Sequence, residues 1–74
     1  MFRFIIPFSD GTVWDVPIGA QDLDGAFEQY RRYWWNPLTT GAIGVWHNHA
    51  LVARVLPEFD PDTEENRPRL EPWP

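Results

Sequence analysis

The hydrophobic pattern of the chain shows one sustained helical period, in residues 22–35. The apolar side chains that share one face of this helix are Leu23, Ala26, Phe27, Tyr30, Tyr33 and Trp34. Asp22 precedes them, where its carboxylate can accept from the free N–H groups of the first turn. Asn36-Pro37 ends the pattern, because proline cannot continue a helix. The sequence therefore predicts an amphipathic helix over residues 22–35, with Trp35 on its polar side, where a lid, a subunit or a partner must cover it.

Two apolar, β-prone runs precede the helix, at residues 2–8 and 12–16, and they flank Ser9-Asp10-Gly11. A three-residue turn places Ile6 opposite Trp14 and gathers the large apolar side chains on one face. Glycine is also the residue that a bulge in such a turn favours. We therefore predict a hairpin with a three-residue turn.

A second hairpin is predicted after the helix, over residues 42–56 and about His47-Asn48-His49. Its two arms are apolar on both faces, so periodicity does not fix their register. Together the elements predict an α+β fold of order ββαββ, an antiparallel sheet from two hairpins with one helix packed across it. Whether the hairpins share one sheet is left open. Pro7 cannot donate to a ladder, so we expect the first strand at a sheet edge or irregular at that point.

The composition changes abruptly at residue 57. Residues 57–74 hold five prolines and six acids against two arginines, whereas residues 1–56 carry only −1 of the net charge of −5. The large apolar residues of this segment are Phe59, Leu70 and Trp73. They are too few to order it alone. We therefore divide the chain into a compact α+β domain, residues 1–56, and an acidic, proline-rich C-terminal tail, residues 57–74. The tail either keeps the domain in solution, or is an arm laid over a basic groove of a partner or back across the protein's own sheet.

Residue chemistry offers no catalytic centre. The chain has no cysteine, which removes disulfides and thiolate metal sites. His47 and His49 could share a zinc ion if they alternate on one strand, but a third ligand at suitable spacing is absent, and polar turn residues are the favoured reading. Ser9, the sole serine, has no histidine near it in the sequence. We therefore predict no catalytic residue, no metal ligand and no cofactor, and we do not expect an enzyme.

The charge of the chain favours a basic protein partner. The net charge is −5 and all six basic residues are arginine, a balance that disfavours direct nucleic acid binding. No signal-peptide pattern follows Met1, and no apolar run approaches the roughly 20 residues of a membrane span. We therefore expect a cytoplasmic protein that does not bind a membrane. A homodimer is a further expectation, because 74 residues form only a small core.

The remaining hypothesis is a binder that presents carboxylates and aromatic rings to another protein. Carboxylates spaced along a surface offer charge to a groove built for phosphates, and aromatic side chains can take the places of stacked bases. The predicted partner-binding residues are Asp22, Asp24, Glu28, Trp35, Glu58, Asp60, Asp62, Glu64, Glu65 and Trp73.

In size, acidity and lack of catalytic apparatus, the chain resembles the small phage-encoded inhibitors that include the anti-CRISPR proteins. Several of those proteins are similar to nucleic acid in their charge distribution. The resemblance is one of class and carries no diagnostic motif. It implies an inhibitor that occludes a basic, nucleic-acid-binding surface of its partner. The alternative is a structural or assembly subunit of a phage or toxin system, a homo-oligomeric module with Trp35 and the apolar second hairpin at its interface.

Overall fold

A five-stranded antiparallel sheet with one helix across one face forms the protein in the computed structural model. The structure describes residues 1–73, so Pro74, the last residue of the predicted tail, lies outside the described residues. The elements in chain order are β1 (Phe2–Pro7), β2 (Val13–Ile18), α1 (Leu23–Tyr33), β3 (Ile43–His47), β4 (Ala50–Asp60) and β5 (Glu65–Pro72). The strand order across the sheet is β2-β1-β3-β4-β5, so β1 and β3 join the two predicted hairpins into one sheet.

The predicted ββαββ topology is wrong, because the segment expected to be a tail contributes a fifth strand. Residue 57 lies inside β4, and β5 pairs with β4 from Ala53↔Pro72 to Asp60↔Glu65. The composition hides this strand, since four of its eight residues are charged and two are proline. Such residues are depleted in strands. The order of elements is therefore ββαβββ.

Prolines in the two edge strands lie where the sheet needs no N–H donor. The Trp73 N–H donates to the Val52 carbonyl at 2.9 Å. Because backbone groups alternate sides along a strand, Pro68 and Pro72 face away from β4, toward the open edge. Pro17 lies in β2, the opposite edge strand. Each edge thus lacks some of the donors that a strand of another molecule would use, which disfavours edge-to-edge association.

The first hairpin has the predicted three-residue turn. The Gly11 N–H donates to the Phe8 carbonyl at 3.0 Å, Gly11 has a φ of 89°, and Ile6 lies opposite Trp14. The expectation that Pro7 puts this strand at an edge is wrong, because β1 lies between β2 and β3. Pro7 is the last residue of β1, beyond the point where pairing with β3 ends. Its missing donor therefore removes no ladder bond.

Helix α1 begins where the sequence predicts and ends earlier. The Asp22 carboxylate accepts the Gly25 N–H at 2.7 Å, which confirms the predicted cap. The helix ends at Tyr33 rather than at residue 35. Trp35 follows the end of the helix and turns toward the sheet, so its predicted place on the polar helix face is wrong. No helix in residues 1–73 has both the length and the apolar character that crossing a membrane requires.

The core lies between α1 and the sheet face that it covers. Tyr30 is its centre on the helix, stacked on Phe4 with ring centroids 4.8 Å apart and packed edge-on against Trp35 at 6.4 Å. The buried apolar residues are Phe2, Phe4, Ile6, Val16, Ile18, Ala26, Tyr30, Ile43, Val45, Ala53 and Val55. The helix face is narrower than predicted, because Tyr33 and Trp34 are 71% and 46% exposed.

Candidate functional site

Strands β4 and β5 extend past the rest of the sheet as a two-stranded arm. Pairing of β3 with β4 runs from Ile43↔Val55 to His47↔Ala50, whereas pairing of β4 with β5 continues to the end of β4. We call residues 56–69 the acidic arm. The turn that connects its strands ends in Glu64, which has a φ of 58°. The tip of the arm therefore projects beyond Ile43, the first residue of β3.

Ion pairs run along the outer face of the arm, which is the sheet face away from α1. Arg67 Nη1 lies 3.0 Å from Asp60 Oδ2, and Arg69 Nε lies 3.3 Å from Glu58 Oε2. Arg69 Nη2 also lies 3.6 Å from Glu71 Oε2. Two of the predicted partner-binding acids, Glu58 and Asp60, are thus neutralised locally. Exposed pairs of this kind add little stability, so their main effect is on the charge that the arm presents.

Three acids at the tip of the arm have no ion-pair partner within residues 1–73: Asp62, Glu64 and Glu65. Asp60, next to them, accepts the Asp62 N–H at 2.9 Å. That hydrogen bond and the Arg67 guanidinium lower the pKa of Asp60 below its ordinary value of 3.8. The unpaired negative charge of the arm is therefore concentrated at its projecting end.

Phe59 is a functional candidate that the predicted binding residues do not include. It is 62% exposed and lies on the face of the arm opposite the ion pairs, across from Asn66. Aromatic side chains, phenylalanine among them, are enriched at the core of protein interfaces. The sequence signal for it is alternation, because Phe59 stands between Glu58 and Asp60 and must face the other way once β4 is recognised as a strand.

The predicted acids of the helix lie elsewhere and have other roles. Asp22 caps α1, Asp24 is exposed in its first turn, and Glu28 pairs with Arg31. The Arg31 guanidinium holds the pKa of Glu28 below its ordinary value. Helix α1 follows β2, and the last residues of β2 and β3 lie at the same end of the sheet. The arm extends from the opposite end, past the first residue of β3. The structure therefore does not bring the helix acids and the tip acids together.

The two predicted aromatic contacts also lie apart. The indole of Trp35 is half-buried and its Nε1–H donates to the Asn66 carbonyl at 3.3 Å, so β5 supplies the cover that this side chain needs. Trp73 follows the end of β5, with the Arg54 guanidinium carbon 5.1 Å from its ring centroid. Trp73 remains exposed at the end of the sheet away from the tip. Of the two, only Trp73 is free for a partner.

The two histidines do not alternate on one strand. His47, in β3, stacks on Phe2 with ring centroids 4.4 Å apart, and its Nδ1 lies 3.0 Å from the Met1 carbonyl oxygen. Asn48 and His49 form the turn to β4 with φ values of 50° and 64°, as a type I′ turn requires. Within residues 1–73 no group of three or more His, Cys, Asp or Glu side chains is arranged to hold a metal ion.

No protein-family model matches the chain, and no curated protein or solved structure has significant similarity to it. Its function is therefore argued from the surface chemistry of the described residues.

Proposed function

We propose that the protein is a small protein-binding inhibitor that covers a basic, nucleic-acid-binding surface of a partner with its acidic arm. The observation that carries this proposal is the separation of charges on the arm. Glu58 and Asp60 are paired with arginines, whereas Asp62, Glu64 and Glu65 have no such partner within residues 1–73. Unpaired carboxylates on a projecting hairpin can attract cationic side chains without first breaking an internal ion pair. The class resemblance to anti-CRISPR inhibitors leads to the same mode of action.

The construction of the arm supports binding with little loss of conformational entropy. Pro57 lies opposite Pro68 across its two strands, and each proline ring fixes its own φ. Phe59 offers an exposed aromatic side chain for contact. An arm that is already ordered loses little conformational entropy when it docks. We therefore propose that the acids of the tip attract the partner during association and that Phe59 contacts it in the complex.

The arginines support a protein partner rather than nucleic acid. Four of the six lie on the outer face of the sheet and pair with carboxylates: Arg3, Arg54, Arg67 and Arg69. Phosphate binding requires cations that are free to replace counterions. We propose a cytoplasmic partner, as the sequence leads us to expect, and neither catalysis nor a cofactor.

The test compares two variants with the same net charge. Asp62→Asn with Glu65→Gln removes two tip charges, whereas Asp22→Asn with Asp24→Asn removes two helix charges and keeps a capping oxygen. Partners are captured from a nuclease-treated lysate, identified by mass spectrometry and tested for nucleic acid binding. Their association rate is then measured against salt. We expect the tip variant to associate about tenfold more slowly at low salt, with a flatter salt dependence.

Two outcomes would contradict the proposal. If the tip variant associates like the native protein, the acidic arm does not steer binding. If the captured partner binds nucleic acid equally well with and without this protein bound, the protein is not an inhibitor of that surface. Phe59→Ala should mainly accelerate dissociation.

A homo-oligomeric assembly module is the second candidate, and the uncovered outer face of the sheet supports it. Trp46 is exposed there, with its indole over Gly44, where an added Cβ would lie 3.2 Å from Trp46 Nε1. Trp35, the interface residue expected from the sequence, packs against the core instead. An oligomer would therefore use Trp46. Light scattering tests this: Trp46→Glu should give folded monomers, and a native protein that stays monomeric at millimolar concentration would exclude it.

A further inference from the structure

A concave surface lies on the helix side of the sheet, and no residue of the acidic arm lines it. The β1–β2 turn, the end of α1 and the loop before β3 enclose a cleft of about 510 Å³. We call it the aromatic cleft, because Phe8, Trp14, Tyr30 and Trp34 line it. It is a different site from the one in the proposed function.

The walls of the aromatic cleft present flat apolar surface to solvent. Trp14 is 55% exposed, and Trp34, Phe8 and Leu38 are exposed beside it. Phe8 and Trp14 pack edge to face with centroids 5.0 Å apart, which holds the two rings at a fixed angle of 64°. Contiguous exposed aromatic surface of this kind marks a binding site more often than isolated apolar residues do.

Two tryptophans of the lining have indole N–H groups without an acceptor in residues 1–73. The indole N–H groups of Trp14 and Trp34 donate to no group in residues 1–73, whereas that of Trp35 donates to Asn66. Tyr30 is 1% exposed and its hydroxyl makes no hydrogen bond within the same residues. Burial raises the pKa of Tyr30 to about 12, so this hydroxyl keeps its proton. Indole is a donor only, so a ligand that displaces water from Trp14 and Trp34 must supply acceptors.

Charge is absent from the lining. None of the side chains around the cleft is Asp, Glu, Lys, Arg or His, although 23% of the chain is charged. A charged ligand would lose its hydration there without meeting an opposite charge. The cleft is therefore suited to a neutral ligand.

We propose that the aromatic cleft binds a proline-rich peptide segment of a partner protein in the polyproline II conformation. Such a segment has no internal hydrogen bonds, so its carbonyl groups are free to accept, and its proline residues have no N–H to satisfy. Its rings pack on aromatic side chains, as in other grooves that recognise proline-rich peptides. A ligand rich in acceptors thus complements the two free indole donors of an uncharged lining, whose other polar side chains are those of Ser9, Tyr30, Asn36, Thr39 and Thr40. A saccharide complements the indoles less well, because every hydroxyl also brings a donor that an indole cannot accept.

The indole N–H signals of the native protein test this proposal by NMR. An acetylated, amidated proline decamer is titrated to millimolar concentration. We expect saturable shifts of the Trp14 and Trp34 signals, while those of Trp35 and Trp73 stay in place as internal controls. A glycine-serine decamer is the matched control peptide. Absence of saturable shifts at Trp14 and Trp34, or equal shifts with the control peptide, would overturn the proposal, as would tighter binding of a neutral oligosaccharide at the same signals.

Variants separate ring packing from hydrogen bonding. Trp14→Ala should weaken decamer binding about tenfold, and Trp14→Phe, which keeps a ring and removes the donor, should lie between it and the native protein. Trp46→Ala is the matched control on the other sheet face and should bind normally. If Trp14→Ala binds the decamer as tightly as Trp46→Ala does, the aromatic cleft is not the site. The decamer contains no charge, so failure here leaves the proposed role of the acidic arm untouched, and failure of the arm leaves the cleft untouched.

Discussion

The helix-covered part of the sheet and the acidic arm are held together by different interactions. In the covered part, Phe4 and Tyr30 stack out of contact with solvent and the strands present apolar side chains to the helix. In the arm, the paired side chains are mainly charged or proline, and Phe59 is exposed. Burying an aromatic ring stabilises the folded state by kilocalories per mole, whereas an exposed ion pair contributes about 0 to 1 kcal/mol. The covered part therefore provides the stability, and the arm is free to carry surface chemistry.

Substitutions of two phenylalanines test this difference most directly. Phe4→Ala removes a fully buried ring and should lower the free energy of unfolding by about 3 to 5 kcal/mol. Phe59→Ala removes the same atoms from an exposed site on the arm and should change it by no more than about 0.5 kcal/mol. Urea denaturation measures both. Equal losses in the two variants would mean that the arm has a core of its own.

Features that depend on neighbours in sequence were predictable. Asp22 before an apolar period gave the start of the helix, and the position of Gly11 gave the turn of the first hairpin. Strand β5 was not predictable in this way, because it is ordered by pairing with β4 and not by its own apolar residues. Its prolines are acceptable because they face the open side of an edge strand, where no N–H donor is needed. That β5 lies at an edge follows from the order of strands in the sheet and not from its own sequence.

The candidate site shows the same limit. The acids of the tip were predicted, but their separation from Glu58 and Asp60 depends on arginines that β5 places across the arm. The position of Trp35 depends on where the helix ends. Because α1 ends at Tyr33, two residues earlier than predicted, the indole packs against the core and does not lie on the polar helix face. Long-range pairing therefore decides which charges and rings remain free, and sequence periodicity does not report it.

Alkaline pH should lower the free energy of unfolding through the helix-covered part of the sheet. Burial raises the pKa of Tyr30 from 10.0 to about 12. The folded state keeps the proton that the unfolded state loses, so this contribution is complete below pH 10 and is lost as pH rises toward 12. The loss should reach about 3 kcal/mol. Denaturation at rising pH measures it. Tyr30→Phe should remove the dependence, and Tyr33→Phe, at an exposed position, should retain it.

The helix cap has a smaller expected effect. Asp22→Ala should lower the free energy of unfolding by about 1 kcal/mol, because the Gly25 N–H loses its acceptor at the start of the helix. Asp22→Asn keeps an acceptor and should lose only a few tenths. Asp24→Ala, in the same turn, is the control without a capping contact. Thermal unfolding compares the three. If Asp24→Ala costs as much as Asp22→Ala, the charge of the first turn matters and not the cap.

Acid should act on the arm, with the smallest effect of the four. The Asp62 N–H and then Arg67 lower the pKa of Asp60 in the arm, and Arg54 first among several causes lowers that of Glu71, which lies just outside the arm and contacts Arg69. The folded state therefore holds fewer protons, and stability present above the ordinary values of 3.8 and 4.5 is lost as pH falls through the lowered ones. Backbone amide signals of the arm should shift in this range while those around Phe4 stay in place. Asp60→Asn should shift the arm signals already at neutral pH and flatten their acid titration. If the signals around Phe4 and those of the arm change together, the arm and the covered part respond to acid as one unit. The arm is then not independent of the core in stability.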